Sequence, residues 1–290
     1  MIRPTAASPR RGDGRRRTYT PLVRVDVLTT FPEMFSLDAP GVLGVSIPKR
    51  AIESGAIDVV ATNIRDFADP PHFKTDDRPF GGGPGMVMLC EPIWRASKHV
   101  EGLDDRPITP LFLAPHGETL TQEIVEDLAA APRLMILCGH YEGVDERVVE
   151  KLSPRVLSLG DYVLSSGELA ALTLIDAVAR LQPGVLGHGD SSTQDSFGPP
   201  PATNPNGEPV PPKKLAKWLG EHGLGPDERL VDCPHYTRPR LWEGLEVPSE
   251  LLSGDHDAVL RWRLGRMADR TKAKRSEDGR SRLAPGNDPS

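Results

Sequence analysis

Apolar residues group along this chain in two rhythms. Short, nearly continuous runs occur at LVRVDVLT from Leu22, IDVVAT (57–62), ITPLFLAP (108–115), RLMILC (133–138) and RVLSLG (155–160). Runs of that length, rich in β-branched residues, read as buried strands. The intervening stretches carry apolar residues at helical spacing: Ile124, Val125 and Leu128; the segment GVDERVVEKL; and Leu169, Leu172, Ile175 and Val178. Thr119 with Gln122, and Ser165 with Glu168, have the spacing of capping boxes that would start two of these helices. Strands alternating with helices predict an α/β fold with a parallel sheet covered by helices.

Four stretches interrupt the rhythm. Residues 1–21 are polar and Arg-rich without periodicity, the pattern of a disordered extension. Residues 65–85, ending in DDRPFGGGPGM, read as a long, partly mobile loop. In 198–217 seven residues are proline and few are large and apolar, so the stretch reads as a linker that builds no core. The segment GLEVPSELLSGDHDAVLRWRL then predicts a mostly helical C-terminal region, fraying after about residue 276. The expected organisation is a sheet domain over 22–188, a linker over 189–231, a small helical domain over 232–276 and a disordered tail over 277–290.

Composition changes this picture little. The chain has 290 residues, 38 % of them hydrophobic and 26 % charged, and a net charge of −6. These are values of a soluble globular protein. No apolar run approaches the roughly 20 residues that span a bilayer, and no signal peptide is evident. Three cysteines without a C-x-x-C pair argue against a disulfide framework or a zinc site and fit a reducing cytoplasm. The acidic total hides basic ends: Arg10, Arg11, Arg15, Arg16 and Arg17 near the start, and seven basic residues between Arg261 and Arg275. Such patches can take phosphates even on an acidic protein.

Parallel sheets bind ligands beyond the carboxyl ends of their strands. Each of the last three strands leads there into a distinctive segment: APHGE (114–118), CGHYEGVDER (138–147) and LGDYVLSSGEL (159–169). Glycine in these segments allows close backbone approach, and the three together can line one pocket. The GGGPG run (81–85) lacks the Lys-Ser/Thr of a P-loop and the G-x-G-x-x-G pattern, which excludes those nucleotide folds. It reads instead as a loop touching RNA, with Arg78 as a phosphate or base ligand. His235 and Tyr236 are suited to stacking on an unpaired base. By spacing alone, Asp195, Asp232 and Arg180 are no more than turn and helix-end residues.

The motifs FPEMF, DDRPFGGGPGM, LCGHYEGVDERV, GDYVLSSGELA, LTLIDAVARLQPGVLG and DCPHYTRP, in this order, closely resemble the bacterial tRNA (guanine-N1)-methyltransferases of the SPOUT superfamily. The resemblance runs from about residue 23 to 266. It implies a sheet closed by a deep trefoil knot, a homodimer with composite active sites, and methyl transfer from S-adenosylmethionine to the guanosine at tRNA position 37. Carried over residue by residue, the donor site comprises Ala114, Pro115, Gly139, Tyr141, Glu142, Leu159, Gly160, Tyr162, Leu164, Ser166 and Gly167. Asp195 matches the general base, and Arg180 the arginine beside the reacting guanine. Arg78, Asp232, His235 and Tyr236 fall on the tRNA side. A magnesium requirement is implied too, with Glu142, Asp195 and Asp232 as candidate participants. The chain departs from the pattern at Ser166 (often Gly), at His140 (often Arg), in the insertion over about 198–230, and in its short C-terminus.

Two other readings compete. One is a knotted methyltransferase acting on ribose or on rRNA; the other is an RNA-binding protein without turnover. Asp195 and the DDRPFGGGPGM loop favour the guanine base over the first, and Asp195 with Arg180 argues against the second.

Overall fold

The computed structural model describes residues 22–37, 41–186, 195–225 and 227–282, with side chains to residue 276. The expected extension over 1–21 and the last residues of the expected tail lie outside them. The described residues divide into two compact units. The first holds those up to Leu120 and Asp127–Gln182; the second holds Thr121–Glu126 and those from Pro183 onward.

The first unit contains β1 (Val23–Thr29), α1 (Ser46–Glu53), β2 (Ile57–Asn63), β3 (Asp76–Asp77), β4 (Val87–Met88), α2 (Cys90–Glu101) and β5 (Thr109–Thr119). There follow α3 (Gln122–Ala129), whose residues up to Glu126 fall in the second unit, β6 (Arg133–Cys138), α4 (Glu146–Leu152), β7 (Arg155–Ser158) and α5 (Gly167–Arg180). Five strands form one sheet in the order β2-β1-β6-β5-β7, and every pairing in it is parallel. All six residues of β6 are buried, as a central strand covered on both faces requires. Beside them lie Leu28, Ile93, Met88, Phe112 and Val148.

Arg133 opens β6 and is itself fully buried. Its Nε donates to Asp26 at 2.7 Å, and its other nitrogens donate to the carbonyls of Val100 and Asp104. The guanidinium thus answers a buried carboxylate and caps the carboxyl end of α2 with one planar group.

Several expectations need correction. Strand β5 does not stop at Pro115 but runs on to Thr119. Its pairing with β7 shifts, so that Leu113 and Glu118 both face Leu157 and residues 114–117 bulge outward. Because β5 takes up Thr119, the cap of α3 passes to Thr121, whose Oγ1 accepts from Ile124 N at 3.4 Å. Ser165 and Glu168 form no capping box, since the Glu168 side chain turns into the core (below). Leu169 is exposed, whereas Leu172, Ile175 and Val178 are buried as expected, joined by Ala171 and Leu174. Residues 65–85 are not one long loop. They begin in a 3-10 turn (Ile64–Phe67) and end in the antiparallel pair β3–β4, which brackets the GGGPG run.

The second unit contains α6 (Pro212–Glu221), the hairpin β8–β9 (Leu241–Trp242 and Leu245–Glu246) and α7 (His256–Arg282). The C-terminal region is therefore helical only in a 3-10 turn (Ser249–Leu252) and from His256, and the latter helix continues past residue 276. The proline-rich stretch is not coreless: Val210 packs with Trp218, Leu219 and Leu224 against Leu260, Leu264 and Met267 of α7. A proline at the first helical position leads into α6, where the missing N–H costs nothing. A bridge between Gly198 and Leu230 closes the base of the inserted segment. Phe197 N donates to Leu230 O at 2.7 Å, and Leu230 N to Gly198 O at 3.1 Å.

Candidate functional site

At the carboxyl ends of β5, β6 and β7 the first unit encloses a cavity of about 440 Å³, the size of small-molecule sites. It is lined by the 114–117 bulge, the segment 139–146 and the segment 157–167. Every residue carried over as a donor-site candidate, from Ala114 to Gly167, lies on its wall.

Backbone contacts shape this wall. A Cβ on Gly117 would stand 2.6 Å from the Leu157 backbone, so the bulge approaches β7 only through glycine. A Cβ on Gly167 would stand 2.8 Å from Gly139 N, and Gly167 N donates to Gly139 O at 2.9 Å. The first turn of α5 is thereby pinned to the end of β6. Tyr141 adopts a positive φ of 59°, a conformation stored at functional turns. Burial raises its phenol pKa, helped by nearby Asp76.

The segment 142–145 is stitched to β4. Glu142 N donates to Met86 O at 3.0 Å, Met88 N to Gly143 O at 2.9 Å, and Asp145 N to Met88 O at 3.0 Å. Gly85 leaves room for the Glu142 side chain, which a Cβ there would meet at 2.3 Å. The hairpin that carries Arg78 and the fully exposed Phe80 is thus anchored to the cavity wall.

Sequence reasoning missed Glu168. It is 0 % exposed, bonds to the hydroxyl of Thr29, and has its Oε1 2.8 Å from His140 Nε2. His140 Nε2 also lies 2.7 Å from Oε2, yet that oxygen has no hydrogen bond of acceptable geometry. Phe31 lies against the His140 ring at 4.9 Å. The signal in the sequence was ambiguous, because Glu three residues after Ser has the spacing of a capping box whether or not it caps.

The remaining candidates belong to two places. Arg180 lies half-buried in the last turn of α5, in the first unit. Asp195 and Asp232 lie in the second unit, where Ser196 Oγ accepts from Asp232 N at 3.0 Å. The closed base of the insertion brings these two segments side by side despite the residues between them. Asp232 Oδ1 accepts from Cys233 N at 2.7 Å, and Oδ2 lies 2.7 Å from His235 Nε2. Burial raises the Cys233 thiol pKa, with Asp232 adding to the shift. Among the described residues, the side chains of metal-ligand type that cluster are Asp232, Cys233 and His235, within 4.8 Å of one another. Tyr236 stands edge-on to Trp262 at 6.1 Å. No described helix is long and apolar enough to cross a membrane.

Comparison with known proteins agrees with this geometry. The tRNA (Guanine-1)-methyltransferase TrmD family model matches residues 23–279. A tRNA (guanine-N(1)-)-methyltransferase of Chloroflexus aurantiacus is 43 % identical over 255 residues, covering 88 % of this chain and 87 % of that protein. One from Halorhodospira halophila is 45 % identical, covering 88 % of this chain and 84 % of its own length. The crystal structure of tRNA (m1G37) methyltransferase from Aquifex aeolicus superposes with a TM-score of 0.64 at 36 % identity, covering 92 % of this chain and 100 % of that one. With matching motifs, a matching parallel sheet and a family match across nearly its whole length, the chain belongs to the tRNA (guanine-N1)-methyltransferase family.

Proposed function

We propose that this chain transfers a methyl group from S-adenosylmethionine to N1 of the guanosine at tRNA position 37. The observation that carries the reading is the single cavity at the strand ends, lined by all the residues that the family motifs assign to the donor. Its chemistry suits a cationic donor: Glu142 and Glu146 stand on the wall beside backbone groups and Tyr141 and Tyr162. When bound, S-adenosylmethionine supplies an electrophilic methyl on a sulfonium sulfur.

The protein's own groups do the rest. Guanine N1 carries a proton at neutral pH and becomes nucleophilic on losing it. The Asp195 carboxylate accepts that proton. The Arg180 guanidinium stabilises the negative charge that develops towards O6. Arg78, Asp232, His235 and Tyr236 hold the tRNA around the base. Magnesium, which the family resemblance implies, takes oxygen donors, and the carboxylates of Glu142, Asp195 and Asp232 are the candidates for holding it.

The fold reading goes with this function. The return of Gly167 onto Gly139, after β7 has paired with the bulged β5, supports a deep trefoil knot. The second unit, with α7, supports a C-terminal tRNA-binding domain. A homodimer whose sites combine one chain's donor pocket with its partner's Asp195 completes the reading. The activity belongs in the cytoplasm, where the free thiols of Cys90, Cys138 and Cys233 stay reduced.

Mass spectrometry of unmodified tRNA incubated with protein and donor tests this. Wild type should add one methyl, on guanosine 37. Asp195→Asn should fold and bind donor yet lose nearly all transfer, because an amide accepts no N1 proton. Co-expression of Asp195→Asn with the donor-blocked Gly160→Val should restore transfer in purified heterodimers. Full transfer by Asp195→Asn alone would remove this residue as the base, and inactive heterodimers would refute the shared site.

A further inference from the structure

The second unit has a cavity of its own, about 310 Å³, between α6 and α7. Its walls are Trp218, Glu221 and His222 from α6 and its carboxyl end, Arg261 and Trp262 from α7, and Glu250. We propose that it seats an unpaired nucleotide of the substrate tRNA, outside the guanosine that reacts. This rests on the tRNA-methylating reading above and adds a second point of recognition to it.

The aromatic walls are already dressed with cations. Lys214 Nζ lies 4.9 Å and the Arg261 guanidinium 5.9 Å from the Trp218 ring centroid, and the Arg266 guanidinium 5.6 Å from that of Trp262. Aromatic faces beside guanidinium and ammonium groups are how proteins hold unstacked bases next to their phosphates. Trp262 is only half-buried, so its ring is available from the cavity side. Gly265 of α7 leaves the space that His222 occupies: a Cβ there would stand 3.3 Å from His222 Cε1.

The carboxylates narrow the class of ligand. Glu221 is paired with Arg261 at 3.1 Å, whereas Glu250 is exposed at the cavity. Carboxylates accept from the N–H groups on base edges, donors that a base offers and an acidic side chain does not. The cations at the cavity are paired, Lys214 with Asp257, Arg261 with Glu221 and Arg266 with Asp269, so the basic charge open to a ligand lies on the outer helix surface. Helix α6 carries Lys213, Lys214 and Lys217 against Glu221 alone, and Lys213, Lys217, Arg270 and Lys272 are exposed. Such side chains can follow the phosphates on either side of the seated base.

The cavity is also continuous with the segment assigned to the tRNA. Tyr236 stands edge-on to Trp262, and Arg270 Nη1 donates to Asp232 O at 2.8 Å. The inserted segment that builds α6 is closed at its base by the Gly198–Leu230 bridge, next to Ser196 and Asp232. RNA lying along Asp232, His235 and Tyr236 therefore has the α6–α7 cavity as its next contact.

Fluorescence anisotropy with unmodified tRNA, on the full chain with donor present, tests the proposal. Trp262→Leu should bind tRNA about tenfold to a hundredfold more weakly, the loss expected of one stacked base. The exposed double variant Lys213→Glu/Lys217→Glu should weaken binding and flatten its dependence on salt. Glu250→Gln should weaken it less. Donor affinity by calorimetry should stay at the wild-type value in all three, because the donor cavity lies in the other unit. If Trp262→Leu melts early, the lysine pair and Glu250→Gln decide, since their side chains are exposed. Wild-type tRNA affinity in those variants, with wild-type protein methylating normally, overturns the cavity's role. Absence of methylation by wild type itself would instead overturn the underlying activity.

Discussion

The cavity of the first unit takes its shape from close backbone approaches, and that of the second from side chains. Around the strand-end cavity the decisive atoms are main-chain N–H and C=O groups of Gly139 and Gly167 and the bulge at Gly117. Around the α6–α7 cavity they are tryptophan rings, guanidinium groups and carboxylates. A backbone wall depends on close approach and fails abruptly when a side chain intervenes. A side-chain wall can be trimmed one group at a time. The two cavities should therefore respond differently to substitution, one in steps and the other by degrees.

The largest effect should come from the backbone wall. Gly117→Ala puts a Cβ against the Leu157 main chain, which has no flexible end to move aside. It should lose about 3 kcal/mol or more, the upper range for overpacking, measured by urea unfolding. Gly81→Ala is the control. Its φ of 86° is strained for alanine, but no atom lies within 4 Å of the added Cβ. The cost there should be only about 1 kcal/mol. Equal losses in the two variants would show that conformation, not close approach, governs the bulge.

Comparable in size is the effect on the core under the side-chain wall. Trp218 is 6 % exposed and packs with Leu219, Leu260 and Leu264. Trp218→Ala should cost about 3–5 kcal/mol and melt the second unit first, while donor still binds the first. A single transition that carries donor binding away with it would mean that the two units share one cooperative core.

The smallest effect concerns acid. Glu228 is held below the usual carboxylate range by the Gly225 N–H and then by Arg275. A depressed carboxylate contributes stability that is full above its unfolded pKa, about 4.3, and is lost as pH falls through the folded value. Glu228→Gln should accordingly lower stability slightly at neutral pH and leave a shallower decline below about pH 4.3. Acid titration of urea midpoints reads this, and an unchanged slope would leave Glu228 without a part in acid stability.

How much of this could be read in the sequence follows from what each element depends on. The sheet strands were legible because buried strands show as apolar runs, and RLMILC became β6 without a residue's change. The strand-end cavity was legible only through motif resemblance, since spacing alone cannot show that APHGE continues β5 as a bulge. That depends on Leu157 pairing twice, a fact of register. Glu168 was misread because its spacing fits a cap while its burial beside His140 and Thr29 is a tertiary property. The proline-rich stretch misled for the opposite reason. Proline density suggested a linker, yet Val210, Trp218 and Leu219 supply enough apolar surface to pack on α7.

The stitching of β4 to residues 142–145 has a consequence for timing. Three main-chain hydrogen bonds join a hairpin that carries Arg78 and Phe80 to the wall of the donor cavity. Whatever steadies that wall also narrows the excursions of the hairpin, so part of the ordering entropy of the second ligand is already spent when the first has bound. On the proposed function, donor and RNA then favour each other's arrival without touching. By linkage the favour is equal in both directions, so neither order of binding holds an equilibrium advantage.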